Sequence, residues 1–250
     1  MKILGKIAVV RKFCRNAPAP VIFVPTMGAL HEGHASLIRK ARKLAGEKGT
    51  VVVSIFVNPT QFGPREDFSK YPRPVKADNA LCRSLEVDLL FRPEAEEMYF
   101  ENPSVRVQEQ SLATVLCGAS RPGHFNGVCT VVAKLFHIVQ PEAAIFGEKD
   151  WQQLAIIRRM VRDLNFPIRI MGGAIVREAD GLVLSSRNRY LSPQERKQAP
   201  VLYETLQLAK KLYRSGESKS SRLISSMKKT LAKLPDARVD YIQIVDRENL

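Results

Sequence analysis

Short apolar runs alternate with helical patterns through most of this chain, and this alternation is what most constrains its fold. The runs are rich in β-branched residues and cover residues 21–24, 50–57, 88–91 and 143–146. A helical pattern follows the first run, and further helical patterns cover residues 75–85, 128–139 and 151–164. Strands that alternate with helices form βαβ units on a parallel sheet. The sequence therefore predicts an α/β fold built on a doubly wound, Rossmann-like parallel sheet.

A change of composition near residue 176 predicts a second domain. A polar, arginine-rich loop begins there, and amphipathic helical patterns follow at residues 193–213 and 217–234. An alternating strand pattern then covers residues 239–245. Separate helical and strand segments of this kind are typical of an α+β unit. We therefore predict a Rossmann-like domain at residues 1–175 and a smaller α+β domain at residues 176–250.

The net positive charge of the chain indicates that its partners are anionic. It carries 39 Lys and Arg residues against 25 Asp and Glu residues, a formal net charge of +14. Such an excess suits either nucleic acids or anionic small substrates. No aromatic-rich RNA-binding motif and no block of Lys and Arg accompanies the charge, so we expect small anions rather than nucleic acid as partners.

Neither a membrane protein nor a protein held together by metal or disulfides is indicated. The apolar stretches are far shorter than the roughly 20 residues that a bilayer span requires, and the amino terminus lacks the pattern of a secretory signal. We therefore expect a cytoplasmic protein with no membrane partner. The cysteines Cys14, Cys82, Cys117 and Cys129 form no CxxC pair, which predicts neither a zinc site nor a disulfide framework.

The segment between the first apolar run and the first helical pattern carries the strongest local signal. It reads VPTMGALHEGH and should lie at the carboxyl edge of the sheet, where ligands bind. Gly28 and Gly33 permit close backbone approach, and a helix start offers N–H groups and a positive dipole to phosphate. His31 and His34 can both face such a ligand, although two histidines at a helix start also serve as plain caps. No third ligand accompanies them, which disfavours zinc.

Polar side chains also follow two later apolar runs. Asn58 and Gln61 follow the second run, where their amides can select a small polar substrate or simply build a turn. Lys149 and Asp150 follow the fourth run. A lysine there can neutralise phosphate charge, or it can form a surface ion pair.

Two loops add hydroxyl groups and cations. Ser185, Ser186 and Arg187 lie where the second domain begins. Serine hydroxyls beside arginine can clamp phosphate, although an arginine-rich loop is more often solvated surface. Arg121 is a further candidate for steering anionic substrates, with His124 as its support.

The segment from Val24 to His34 resembles the signature of the pantothenate synthetase family, which belongs to the nucleotidyltransferases with an HxGH motif. Other segments resemble the same family in the same order along nearly the whole chain. They are FVNPTQFG at 56–63, residues 67–74 with Tyr71-Pro-Arg, RPGHF at 121–125, FGEKD at 146–150 with Gln152 and Gln153, and LSSRNRYL at 184–191.

The resemblance implies a role for each matching position. The catalytic residues would be His34, His31, Lys149, Ser185 and Arg187. The ATP-binding residues would be Pro25, Thr26, Met27, Gly28, His31, Gly33, His34, Gly147, Lys149, Asp150, Val176, Leu184, Ser185, Ser186 and Arg187. Pantoate and β-alanine would be bound by Gln61, Gln153, Asn58, Tyr71, Arg121 and Met27. Asp78 would be a metal ligand.

The resemblance also implies the reaction, the cofactor and the assembly. ATP and Mg²⁺ would activate the carboxylate of pantoate as an adenylate, β-alanine would then attack, and the enzyme would be a homodimer. Pantoate is already ionised at neutral pH, so its attack on ATP requires alignment and charge stabilisation rather than a general base. Two rival hypotheses are a catalytic fragment of an aminoacyl-tRNA synthetase and a non-catalytic RNA-binding protein.

Three features depart from the family pattern. Asn126 replaces the arginine that many members carry after His-Phe, and Trp151 stands where a smaller or phenolic residue is usual. The family also commonly continues for further strands beyond position 250. We therefore expect one cation fewer near the site and an incomplete smaller domain.

Overall fold

The computed structural model describes all 250 residues as two compact units, Met1–Ala174 and Ile175–Leu250. A six-stranded sheet lies in the first unit, and every pair of neighbouring strands is parallel. The strands are β1 (Lys2–Leu4), β2 (Val21–Thr26), β3 (Thr50–Ile55), β4 (Leu89–Phe91), β5 (Ala143–Gly147) and β6 (Arg169–Gly173). Their order across the sheet is β1-β4-β3-β2-β5-β6.

Helices connect these strands and cover the sheet. They are α1 (Ile7–Arg15), α2 (Glu32–Ala45), α3 (Val75–Ser84), α4 (Ala95–Met98), α5 (Cys117–Ser120), α6 (His124–Val139) and α7 (Trp151–Asp163). Successive strand side chains point to opposite faces. Ile22 and Val24 of β2 belong to a buried cluster with Ile38 of α2. On the other side, Phe146 of β5 packs edge-on against Phe136 of α6, with ring centroids 6.4 Å apart.

The position of β2 in the sheet determines where a ligand can bind. The chain passes from β2 through β3 to β4, toward the edge formed by β1, and β5 and β6 extend the sheet from the other side of β2. The winding direction therefore reverses between β2 and β5. In open parallel sheets the crevice outside the carboxyl ends of the strands at such a reversal is the usual ligand site.

The second unit consists mainly of three α-helices. They are α8 (Pro193–Gln198), α9 (Val201–Arg214) and α10 (Ser220–Leu231). Ahead of them, Arg177 and Val183 form a single antiparallel bridge. The Arg196 guanidinium reaches back to this turn and pairs with Glu178 at 2.6 Å and Asp180 at 2.7 Å. None of the helices of either unit combines the length and the apolar character that a membrane crossing requires.

The doubly wound parallel sheet expected from the sequence is confirmed, and the four expected strands form. The strands β1 and β6 and the helices α1, α4 and α5 were not predicted. The expected helix at 193–213 is divided in two before Pro200, because proline lacks the N–H that a helix interior requires. The strand predicted at 239–245 is wrong, since that segment pairs with no neighbour in a sheet, and an alternating pattern forms a strand only with a partner.

Candidate active site

The loop between β2 and α2 has an unusual backbone that only certain residues allow. Gly28 has φ +85°, and a Cβ atom there would come within 2.8 Å of Ile55 Cγ2. Ala29, which follows, also has a positive φ of 49°, a conformation that costs energy for a residue with a side chain. The Thr26 hydroxyl donates to the Ser54 carbonyl at 2.7 Å and accepts the Gly28 N–H at 3.3 Å. These contacts therefore hold the loop in one backbone conformation.

Asp78 of α3 also stabilises the loop between β2 and α2. Its carboxylate is 3% exposed, and its two oxygens accept the N–H groups of Ala29 at 3.1 Å and Leu30 at 2.8 Å. Hydrogen bonds from backbone to a buried carboxylate are stronger than neutral ones, so Asp78 stabilises the left-handed turn. This contact was not anticipated from the sequence. The role of Asp78 as a metal ligand stays a prediction.

His31 and His34 both cap α2, and this use determines where each ring carries its proton. His31 Nδ1 accepts the Gly33 N–H at 3.1 Å, and His34 Nδ1 accepts the His31 N–H at 3.3 Å. A ring nitrogen that accepts a hydrogen bond has no proton, so each neutral ring carries its proton on Nε2. Both histidines therefore cap the helix, as one of the two interpretations of the sequence predicted. Each ring still has an Nε2–H group that can donate a hydrogen bond to a ligand.

Electrostatics keep His34 neutral. Burial, followed by the charges of His31 and Lys149, lowers the pKa of His34 from its ordinary value of 6.5 to about 3. The two imidazole rings lie with centroids 4.1 Å apart. At neutral pH His34 is therefore an uncharged N–H donor at the start of a helix, and Lys149 supplies positive charge nearby.

Lys149 lies in the turn after β5, the strand next to β2. Gly147 ends β5, and residues Glu148–Asp150 form a single 3₁₀ turn before α7. The Lys149 ammonium is exposed and lies 3.2 Å from Asp150 Oδ1. The loop after β2 and the turn after β5 thus flank the reversal point of the sheet, as expected for Lys149 and Asp150.

A second group of predicted residues meets on the same loop. Asn58 is fully buried, and its Nδ2 donates to Gln61 Oε1 at 3.1 Å. Gln61 Nε2 in turn lies 3.0 Å from Met27 Sδ. The Tyr71 hydroxyl donates to the Gly28 carbonyl at 3.5 Å. Amide and phenol groups suited to a small polar ligand therefore adjoin the loop that leads into α2.

The remaining candidates of the first unit have other neighbours. Arg121 forms a forked ion pair with Glu66, with Nε–Oε1 at 2.7 Å and Nη2–Oε2 at 2.5 Å. Gln153 is half-buried on α7. Its neighbour Gln152, to which the sequence assigned no role, is buried and donates to the Leu112 and Val115 carbonyls, both at 2.7 Å. A single glutamine in a helix carries no sequence signal for such long-range contacts.

The candidates of the second unit lie in one short segment. Ser185 caps a 3₁₀ turn at Ser186–Tyr190, and its Oγ accepts the Arg187 N–H at 3.2 Å. Leu184 N–H donates to the Val176 carbonyl at 3.1 Å. Ser186 is buried and Arg187 is exposed. These five residues therefore form a local group within their own unit.

Comparison with known proteins gives consistent matches along the chain. A family model described as pantoate–β-alanine ligase matches residues 2–250. Pantothenate synthetase of Thermotoga petrophila is 51% identical over 253 positions, which cover all of this chain and 89% of that protein. The crystal structure of pantothenate synthetase from Thermus thermophilus has a TM-score of 0.94 at 49% identity, covering 100% of this chain and 89% of that one. Pantoate–β-alanine ligase from Francisella tularensis, complexed with β,γ-ATP and β-alanine, has a TM-score of 0.84 at 36% identity, covering 98% and 90%.

Proposed function

The chain belongs to the pantoate–β-alanine ligase family, and on that premise we propose that it condenses pantoate with β-alanine in an ATP-dependent reaction. The carboxylate of pantoate attacks the α-phosphorus of ATP and releases pyrophosphate. The amine of β-alanine then attacks the acyl carbon of the pantoyl adenylate, and AMP leaves. The product is the amide pantothenate.

One observation carries this proposal. The Gln61 amide contacts Met27 at 3.0 Å, so an amide suited to an acid substrate adjoins the loop that leads to the phosphate-binding start of α2. Adenylation requires this adjacency, because the substrate carboxylate must be held in line with the α-phosphorus. A helix amino terminus next to neutral N–H donors is a suitable site for the phosphate.

In the first half-reaction, His31 and His34 would donate from Nε2 to phosphate oxygens as negative charge develops. Such donors stabilise the transition state because they are already oriented when charge appears. Lys149 would neutralise phosphate charge as a point cation, and Asp150 would accept from the ribose. Pro25, Thr26, Gly28, Gly33 and Gly147 would line the nucleotide through their backbone.

In the acid-binding pocket we propose that Gln61, Gln153, Asn58, Tyr71 and Met27 hold pantoate and β-alanine. The burial of Asn58, Gln61 and Tyr71 supports this assignment, since polar groups that the fold holds in place can select a ligand by their hydrogen bonds. From the second unit, Val176, Leu184, Ser185, Ser186 and Arg187 would contribute to ATP binding.

The family resemblance also implies Mg²⁺ and a homodimer, and we retain both as proposals. The described residues contain no group of three His, Cys, Asp or Glu side chains suited to a metal ion, and both Asp78 oxygens hold the loop. Mg²⁺ commonly enters such sites on substrate phosphates. Asp78 as a ligand of this ion stays a prediction; bound to ATP, Mg²⁺ would offset the charge of the pyrophosphate.

An isotope experiment tests the reaction. Pantoate labelled with ¹⁸O in its carboxylate should pass one labelled oxygen to AMP during turnover with ATP and β-alanine. Pyrophosphate should also form before β-alanine is added. Formation of ADP and labelled phosphate, or of AMP without label, would overturn the adenylate route.

A further inference from the structure

The amino-terminal end of α6 holds the turn that carries Gln61. His124 Nδ1 lies 2.8 Å from the Gln61 carbonyl oxygen, and Arg121 Nη2 lies 3.5 Å from the same atom. The Gly127 carbonyl accepts from Asn58 Nδ2 at 3.2 Å. A Cβ atom on Gly127 would come within 2.3 Å of the Thr60 carbonyl. The turn at 58–61 therefore rests directly on this end of α6.

The direction of each hydrogen bond follows from the chemistry of the groups. A carbonyl oxygen only accepts, so His124 Nδ1 must carry the proton and donate it to Gln61. His124 Nε2 is then an acceptor, and Arg121 Nη1, which only donates, lies 3.1 Å from it. The forked ion pair with Glu66 fixes the guanidinium at its other side. The result is a continuous network from Glu66 through Arg121 and His124 to the main chain of Gln61.

Arg121 has little capacity left for a substrate. Arginine has five N–H donors. Nε and Nη2 bond Glu66, Nη2 also approaches Gln61, and Nη1 bonds His124. The Glu66 carboxylate, and more weakly the Cys117 thiol, raises the pKa of Arg121, so the cation is permanent and already paired.

We propose that Arg121 and His124 are positioning residues that orient the Gln61 amide toward the acid substrate and do not themselves bind it. This inference rests on the proposed function, in which Gln61 binds pantoate. The physical basis is that a fixed carbonyl fixes the peptide plane and hence the direction in which the Gln61 side chain leaves the backbone. A displacement of 1 Å at a reacting group can cost on the order of 100-fold in rate.

Substitutions at His124 test the donor directly. Asn can place an amide N–H near the position of Nδ1, whereas Ala cannot. We expect His124→Ala and Arg121→Ala to raise the KM for pantoate by on the order of 10- to 100-fold and to leave the KM for ATP and the melting temperature nearly unchanged. His124→Asn should recover most of the loss. Equal rises in both KM values, or no advantage of Asn over Ala, would overturn the proposal.

Two further measurements separate positioning from direct binding by Arg121. If Arg121 binds the substrate carboxylate, Glu66→Gln should lower the KM for pantoate, because it frees the guanidinium. If the network positions Gln61, the same change should raise that KM. In a Gln61→Ala background, His124→Ala should add little, because coupled residues are not additive. An additive effect would contradict action through Gln61.

The network can also be checked without catalysis. ¹⁵N NMR of the histidine rings should show His124 as the Nδ1–H tautomer, and Arg121→Ala should alter its Nε2 resonance. An Nε2–H tautomer would overturn the network even in an active enzyme. A wild-type chain that shows this tautomer but forms no pyrophosphate from ATP and pantoate would instead overturn the proposed function.

Discussion

At the scale of single residues, His31 and His34 each use the two nitrogens of the ring differently. Nδ1 caps the helix, and the proton that capping excludes from Nδ1 is placed on Nε2. The sequence left two readings open, a helix cap or a phosphate donor. The geometry makes them compatible, because the two nitrogens of a neutral imidazole have different tasks.

His34→Asn separates the two tasks. The Asn side-chain oxygen can accept the His31 N–H as Nδ1 does, but it offers no donor at the Nε2 position. We expect pyrophosphate formation to fall by roughly 10²- to 10³-fold while the melting temperature changes little. His34→Ala, the matched control, should lose both activity and some stability. Near-normal pyrophosphate release by His34→Asn would remove His34 from the chemistry.

The low pKa of His34 predicts how stability depends on pH. Between pH 6.5 and about 3 the unfolded chain binds a proton at His34 that the folded chain does not. The free energy of unfolding should therefore fall as pH falls through this window. As pH falls, the wild type should lose stability relative to His34→Asn by up to about 1.4 kcal/mol per pH unit, measured by urea unfolding at pH 7, 6 and 5. A constant difference would contradict a neutral, shielded His34.

At the scale of elements, the loop between β2 and α2 depends on α3. Positive φ angles at Gly28 and Ala29 are maintained by two hydrogen bonds to Asp78. The loop motif is therefore only part of what builds the proposed phosphate site. A carboxylate 49 residues further along the chain completes it.

Asp78→Asn should damage both stability and catalysis. An amide presents N–H groups where one oxygen now accepts, so one backbone N–H is left facing a donor. We expect a loss of about 1–3 kcal/mol in the free energy of unfolding and weaker ATP binding. Asp163→Asn, an exposed aspartate in α7, is the control and should change neither. If Asp78 is instead a metal ligand, added Mg²⁺ should restore activity to Asp78→Asn.

At the scale of the whole molecule, the net charge of +14 should attract the anionic substrates. Long-range attraction between exposed charges is screened over about 8 Å at physiological ionic strength. We expect kcat/KM for ATP to fall as KCl rises from low to physiological concentration, with kcat nearly constant. A salt-independent kcat/KM would show that the charge does not assist substrate capture. Competition of tRNA with ATP at physiological salt would support the nucleic-acid alternative instead.

The sequence by itself determined the features that depend on local patterns. Alternating apolar runs and helical periods specified four of the strands and the helices α2, α3, α6 and α7, because side-chain periodicity and burial are properties of neighbouring residues. The placement of His31 and His34 at the start of a helix, and of Lys149 after a strand, followed from the same patterns. The need for glycine in the loop between β2 and α2 was also predicted from the sequence, since a close backbone approach leaves little room for a side chain.

Only the tertiary structure decided the features that depend on distant partners. β6 contains Gly172 and Gly173 and has a weak strand pattern, yet it forms because β5 supplies its hydrogen bonds; residues 239–245 have the pattern and no such partner. Asp78 accepts hydrogen bonds from the loop between β2 and α2, and His124 donates one to Gln61. The paired residues lie 48 to 63 positions apart in the sequence. Such hydrogen bonds depend on how distant elements pack together, which no local sequence pattern encodes. The positions of the protons in the candidate site could therefore be assigned only from the tertiary structure.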